Sequence, residues 1–167
     1  MKRLCVCLLA LVMLCSCFTG CKKKETASSQ PVSMYDLSRA MLSAASFGEM
    51  KYVSSSDDGA EEKFDYISDL DYEKIDSFFV SYAEDGKGNA DEIAVLRVKQ
   101  SADTDAAVAS LQRHLEKRGN LYRTYDPSQS EKVGKGVVFG SDTFAVLIVS
   151  SDNGAVRKAF EDFLKNN

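Results

Sequence analysis

The spacing of apolar residues changes several times along this chain, and each change marks an element. Positions 4 to 14 form one unbroken apolar run behind Lys2 and Arg3, without periodicity. Leu37, Met41, Ala44 and Ala45 then recur at the intervals of one helix face. Ser33 and Asp36 precede them in the S-x-x-D arrangement of a capping box, predicting a first helix over 34–46 that ends near Gly48. From 54 to 76 the pattern turns polar and acidic. Asp57, Asp58, Glu61, Glu62, Asp65, Asp69, Asp71, Glu73 and Asp76 are set against only Lys63 and Lys74, and Phe64, Tyr66, Ile67, Leu70 and Tyr72 are scattered among them. This predicts an irregular stretch with one short strand over 64–67.

Segments 78–83 and 93–98 are rich in aromatic and β-branched residues and flank Asp85-Gly86-Lys87-Gly88-Asn89, predicting an antiparallel hairpin. Asp103, Thr104 and Asp105 open a helix whose Val108, Leu111 and Leu115 share a face, and Lys117, Arg118 and Gly119 close it. After a loop around Tyr125-Asp126-Pro127, segments 137–139 and 143–149 flank Gly140-Ser141-Asp142 as a second hairpin. Asp152 or Asn153 then caps a terminal helix that buries Val156, Phe160 and Phe163. The order predicts one α+β domain over 34–167, an antiparallel sheet built from two hairpins with helices packed on it.

The strands over 93–98 and 144–149 are apolar at both alternations, whereas a sheet with one wet face alternates. Something therefore covers the second face. The first helix and the acidic stretch are the expected cover, with a partner protein or second subunit as the alternative.

The 167 residues, 44% hydrophobic, suffice for one core. The start of the chain has the layout of a secretory signal peptide: Lys2 and Arg3, the apolar run, then Ser16, Thr19 and Gly20. The run of eleven residues from 4 to 14 is shorter than the ~18 needed to cross a bilayer core, so no transmembrane helix is expected. All five cysteines, Cys5, Cys7, Cys15, Cys17 and Cys21, lie here, which leaves the rest of the chain without disulfides or zinc–thiolate sites. Phe18-Thr19-Gly20-Cys21 resembles the bacterial lipobox, in which the cysteine is acylated with a diacylglyceryl group and becomes the new N-terminus. Leu14-Cys15-Ser16-Cys17 is a competing match, making Cys17 the runner-up to Cys21. The expectation is a lipoprotein signal peptide over 1–20 and a lipidated, flexible tether over 21–33. Lys22, Lys23 and Lys24 would attract an anionic leaflet or merely keep the stalk soluble. That places the domain on the extracytoplasmic face of the cell membrane.

Charge and chemistry narrow the function by elimination. With 21 Lys plus Arg against 25 Asp plus Glu, the net charge is −4, and no basic domain offers itself to nucleic acid. The single histidine, His114, excludes relays of two imidazoles. Ser110 stands four residues before it on one helix face, but no G-x-S-x-G elbow exposes a serine nucleophile. Gly134-Lys135-Gly136 precedes a strand, so it reads as loop and not as a phosphate cradle. Asp85, Asn89, Asp91 and Glu92 loosely resemble a calcium loop, but Leu96 occupies the position of its bidentate glutamate. No catalytic residues, metal or cofactor are therefore assigned.

Several segments together resemble the small bacterial lipoprotein family of the domain of unknown function 4358 (DUF4358), across residues 34–164. They are the leader, Asp91-Glu92-Ile93-Ala94-Val95-Leu96-Arg97-Val98-Lys99, the helix ending His114-Leu115-Glu116-Lys117-Arg118, Tyr125-Asp126-Pro127, and Phe144-Ala145-Val146-Leu147-Ile148-Val149-Ser150. The acidic stretch is denser here than in that pattern. The resemblance implies a membrane-anchored extracytoplasmic domain, typical of Gram-positive bacteria, and carries no catalytic residues. Two functions follow as expectations: a non-enzymatic binding or accessory module for a protein, peptide or wall component, or a small extracytoplasmic hydrolase using His114 or a carboxylate pair. For the hydrolase, His114 must face a pocket with Ser110 or an acid in reach; packed under Leu111 and Leu115 it would serve the core.

Overall fold

Hydrogen-bonded strands form a five-stranded, wholly antiparallel sheet in the computed structural model, which describes residues 32–84 and 89–167. In chain order the elements are α1 (Met34–Leu42), β1 (Met50–Ser54), α2 (Ala60–Ile67), β2 (Ile75–Ala83), β3 (Glu92–Val98), α3 (Thr104–Tyr125), α4 (Pro127–Gly134), β4 (Val137–Ser141), β5 (Phe144–Val149) and α5 (Asn153–Asn166). The strand order is β1-β2-β3-β5-β4. Both expected hairpins are present, β2 with β3 and β4 with β5, and β1 adds an edge to the first. The fold class is α+β. The leader, Cys17, Cys21, most of the tether and the Asp85–Gly88 part of the first turn lie outside the described residues.

Strand alternation sends Phe78, Val80, Ala94, Leu96, Ala145 and Leu147 to one face, where α2 and α3 bury Phe64, Ile67, Leu111 and Leu115 against them. It sends Phe79, Ile93, Val95, Val146 and Ile148 to the other, beneath Leu37 and Met41 of α1 and Val156 and Phe160 of α5. The sheet is thus the middle of three layers, and the chain's own helices cover both faces. Cover by α1 was expected; the acidic stretch instead supplies α2 on the α3 side, and α5 takes its place beside α1.

Several local expectations are corrected. Residues 64–67 are helical, because Ala60, Phe64 and Ile67 fall on one buried helix face and Glu61 and Glu62 complement the positive end of that helix. α1 stops at Leu42, where the Ser43 hydroxyl donates to Arg39 O at 2.8 Å. α3 runs through Gly119 to Tyr125, and Pro127, read as loop, opens α4, a position whose fixed φ and missing N–H suit a helix start. The second hairpin turns on Asp142 and Thr143, since Ser141 pairs with Phe144. Gly140 lies within β4, where a Cβ would sit 3.2 Å from both Thr104 Cγ2 and Val108 Cγ2, so this glycine admits α3 to the sheet. The expected caps form at Ser33, which accepts from Asp36 N, and at Asp152, which accepts from Ala155 N. Asp103 makes no cap bond and instead pairs with Lys74 at 2.8 Å.

Candidate functional site

The first residue of β3, Glu92, is in phase with Ala94, Leu96 and Val98, so its carboxylate points to the face that α3 covers. A carboxylate in that position must be paired or neutralised. α3 supplies the partners at i,i+4 spacing: His114 Nε2 lies 2.8 Å from Glu92 Oε1, and Arg118 Nη1 lies 2.8 Å from Glu92 Oε2. The second contact is an ion pair without hydrogen-bond alignment, and Arg118 Nε is buried with no partner among the described residues. Arg118 Nη2 donates to Ala90 O at 3.0 Å, and the guanidinium carbon lies 5.2 Å from the Tyr122 ring centre. Burial pushes the Glu92 carboxyl upward. The Arg118 charge, then the His114 hydrogen bond and charge, outweigh that and hold it below its ordinary value of 4.5. Beside it Lys132 of α4 reaches Asp91 at 2.9 Å and Asn89 Oδ1 at 3.2 Å. Two buried carboxylates at the start of β3 are thus clamped by cations from two helices.

The outer side of this cluster borders a pocket of about 180 Å³ between the end of α2 and α3. Ser110, Arg113, His114 and Lys117 line it from α3, and residues 65–69 line it from the other side. Ser110 and His114 are therefore brought together as their spacing predicts, and an acid is in reach of His114. The serine hydroxyl is committed elsewhere: it shares a hydrogen bond with Ser68 Oγ at 2.8 Å and accepts from Asp69 N at 2.9 Å, in a residue only 1% exposed. Arg113 closes the rim with two bonds to Asp69, at 2.6 and 2.8 Å. The Arg113 bonds first, and the Ser110 hydroxyl second, hold the Asp69 carboxyl down at about 2. The volume is below the ~300 Å³ at which small-molecule sites begin. The arrangement organises charge without presenting a nucleophile.

The other candidates also find local roles. Asp91 and Glu92 serve the helix cations, and Asp85 lies outside the described residues. The described residues hold no cluster of three or more His, Cys, Asp or Glu side chains able to bind a metal. Within the acidic stretch, Asp57 accepts from Ser54 N, Asp71 caps the 3-10 turn at Tyr72–Lys74, Asp69 pairs with Arg113 and Asp76 with Arg97. Lys135 is the cap residue after α4, and Gly134 is that helix's last residue. Glu92, Arg118 and Lys132 were not singled out from the sequence as a cluster. The available signal was an acid in phase with an apolar strand face.

Among the described residues no helix is long and apolar enough to cross a membrane. A family model described as a domain of unknown function (DUF4358) matches residues 49–150, which takes in all five strands, α2, α3 and α4, and leaves α1 and α5 as flanking helices. No curated protein and no solved structure matches the chain.

Proposed function

The chain belongs to this DUF4358 family, and from that premise we propose that it is an extracytoplasmic lipoprotein, held to the cell membrane through acylated Cys21 and carrying a non-enzymatic binding or accessory module. The observation that carries this reading is the leader: Lys2 and Arg3, the apolar run over 4–14, and the lipobox-like Phe18-Thr19-Gly20-Cys21, with no cysteine beyond it. Two acyl chains on one residue give the double anchor that a single chain lacks, each buried methylene adding ~0.8 kcal/mol. The non-enzymatic half draws on Ser110, whose hydroxyl is buried and doubly bonded, and on the smallness of the pocket beside it.

The test is expression in a Gram-positive host with an alkyne-tagged palmitate. The full chain incorporates the tag and pellets with membranes, Cys17→Ala does the same, and Cys21→Ala loses both properties. Tag and membrane retention in the Cys21→Ala protein, lost on Cys17→Ala, would move the anchor to Cys17; retention in the double variant overturns the reading. A hydrolase remains the second reading, because the His114–Glu92 pair borders a pocket that Ser110 also lines. A fluorophosphonate probe that labels the wild type and not Ser110→Ala would establish it.

A further inference from the structure

A second cavity, of about 490 Å³, opens where the apolar face under α1 gives way to polar residues at one end of the sheet. Its volume falls within the ~300–1,000 Å³ of small-molecule sites. Ser77 and Arg97, paired across β2 and β3, line it from the sheet, and Tyr35 and Tyr52 line it from α1 and β1. Tyr52 is held by stacking on Phe79, with ring centres 6.0 Å apart, and Tyr35 meets it edge-on while 58% exposed. The charges present cancel: Arg97 Nε lies 3.3 Å from Asp76 Oδ2. Ser55 Oγ accepts from Phe78 N and Ser33 Oγ accepts from Asp36 N, and a hydroxyl that accepts can also donate.

This combination selects a ligand. An anion or cation would meet a counter-charge already spent on its neighbour, and an apolar ligand would strand the hydroxyls and the Asp76–Arg97 pair. A sugar fits both sides of the lining, because a pyranose ring has an apolar C–H face to lay on tyrosine and a rim of hydroxyls that donate and accept. We propose that the cavity lined by Tyr35, Tyr52, Ser55, Asp76, Ser77 and Arg97 binds a neutral oligosaccharide, of the chemistry a cell-wall glycan presents. The identification of that source rests on the extracytoplasmic reading above; the binding itself does not.

The experiment titrates the full chain, purified in detergent, with chitotetraose and with maltotetraose, followed by calorimetry. Saturable binding of chitotetraose is expected, and Tyr35→Ala or Arg97→Lys weakens it by about tenfold, as truncation of a central contact does. Tyr66→Ala, an exposed tyrosine at the other pocket, leaves it unchanged. Preference for maltotetraose keeps the site and overturns the wall glycan as its source. No binding of either sugar at millimolar concentration overturns the proposal, as does equal loss in Tyr66→Ala or displacement of the sugar by inorganic phosphate. Tyr35 is exposed, so its variant tests the site even where Arg97→Lys disturbs folding. Running the same titration on Cys21→Ala separates this outcome from that of the anchor, since the sugar site needs no acyl chain.

Discussion

Replacing Glu92 with Gln keeps the shape of the side chain and removes its charge, leaving Arg118 as a cation whose side chain is only 16% exposed. Breaking a buried pair from one side costs ~3–5 kcal/mol, chiefly the penalty of the stranded charge. Arg118 keeps its bond to Ala90 O and its place over the Tyr122 ring, so the lower end applies, about 3 kcal/mol. For a domain of this size that is a fall in melting temperature of roughly 10 °C. Urea unfolding at pH 7, followed by far-UV circular dichroism because the chain has no tryptophan, measures it directly. The pH dependence has a fixed sign. Because the folded Glu92 carboxyl is held below its ordinary value, its contribution is complete above about pH 4.5 and is lost as pH falls through the lower, folded value. The gap between wild type and Glu92→Gln should therefore narrow as pH falls below about 4.5 and through that lower value. A double variant, Glu92→Met with Arg118→Met, should recover part of the loss by removing both charges together. A Glu92→Gln cost under about 1 kcal/mol, or a gap that fails to narrow below about pH 4.5, would refute the view that this ion pair clamps α3 to β3.

Two glycines two residues apart should respond with opposite signs. A Cβ on Gly136 would sit 2.8 Å from Leu115 Cδ1 and 3.0 Å from Val133 O, so Gly136→Ala is expected to destabilise by about 1–3 kcal/mol in urea unfolding. Gly134 ends α4 with open space around it, and Gly134→Ala should stabilise by about 0.5 kcal/mol in the same assay. Asp142 holds a φ of +51° at the β4–β5 turn, and the bond it receives there from the Thr104 hydroxyl goes to its backbone oxygen. Asp142→Gly therefore relieves strain without losing that bond and should raise the melting temperature slightly, by about 0.5 kcal/mol of stability. Asp69→Asn removes a carboxyl held at about 2, whose contribution is complete above about pH 4 and lost as pH falls toward 2. Acid titration followed by circular dichroism should show the variant losing less stability than wild type across that window, and parallel curves would contradict the Arg113 assignment.

What could be read from the chain and what could not divides along one physical line, the reach of local pattern. β3 and β5 were legible because burial on both faces makes Ile93–Leu96 and all of β5 apolar at both alternations, and α3 and α5 because their buried residues repeat at helical spacing. α2 was misread because its three buried residues are diluted by acids that serve its first turn, and α4 because a proline that cannot continue a helix was not credited with starting one. β1 is a five-residue edge, fixed by pairing with β2 and not by any strong alternation of its own. The site divides in the same way. Ser110 and His114 are neighbours by helix geometry alone, whereas Glu92 reaches His114 only because β3 lies under α3, a tertiary fact. Yet the burial pattern held a usable clue: Glu92 shares its phase with Ala94, Leu96 and Val98, and an acid on a buried face requires a cation above it. The two-sided apolar strands, the original ground for expecting a partner, are satisfied by α1 and α5 on one face and by α2 and α3 on the other. With both faces spent on the fold, the proposed sugar site lies at a polar margin of the sheet, where Tyr35, Tyr52, Asp76 and Arg97 line one cavity.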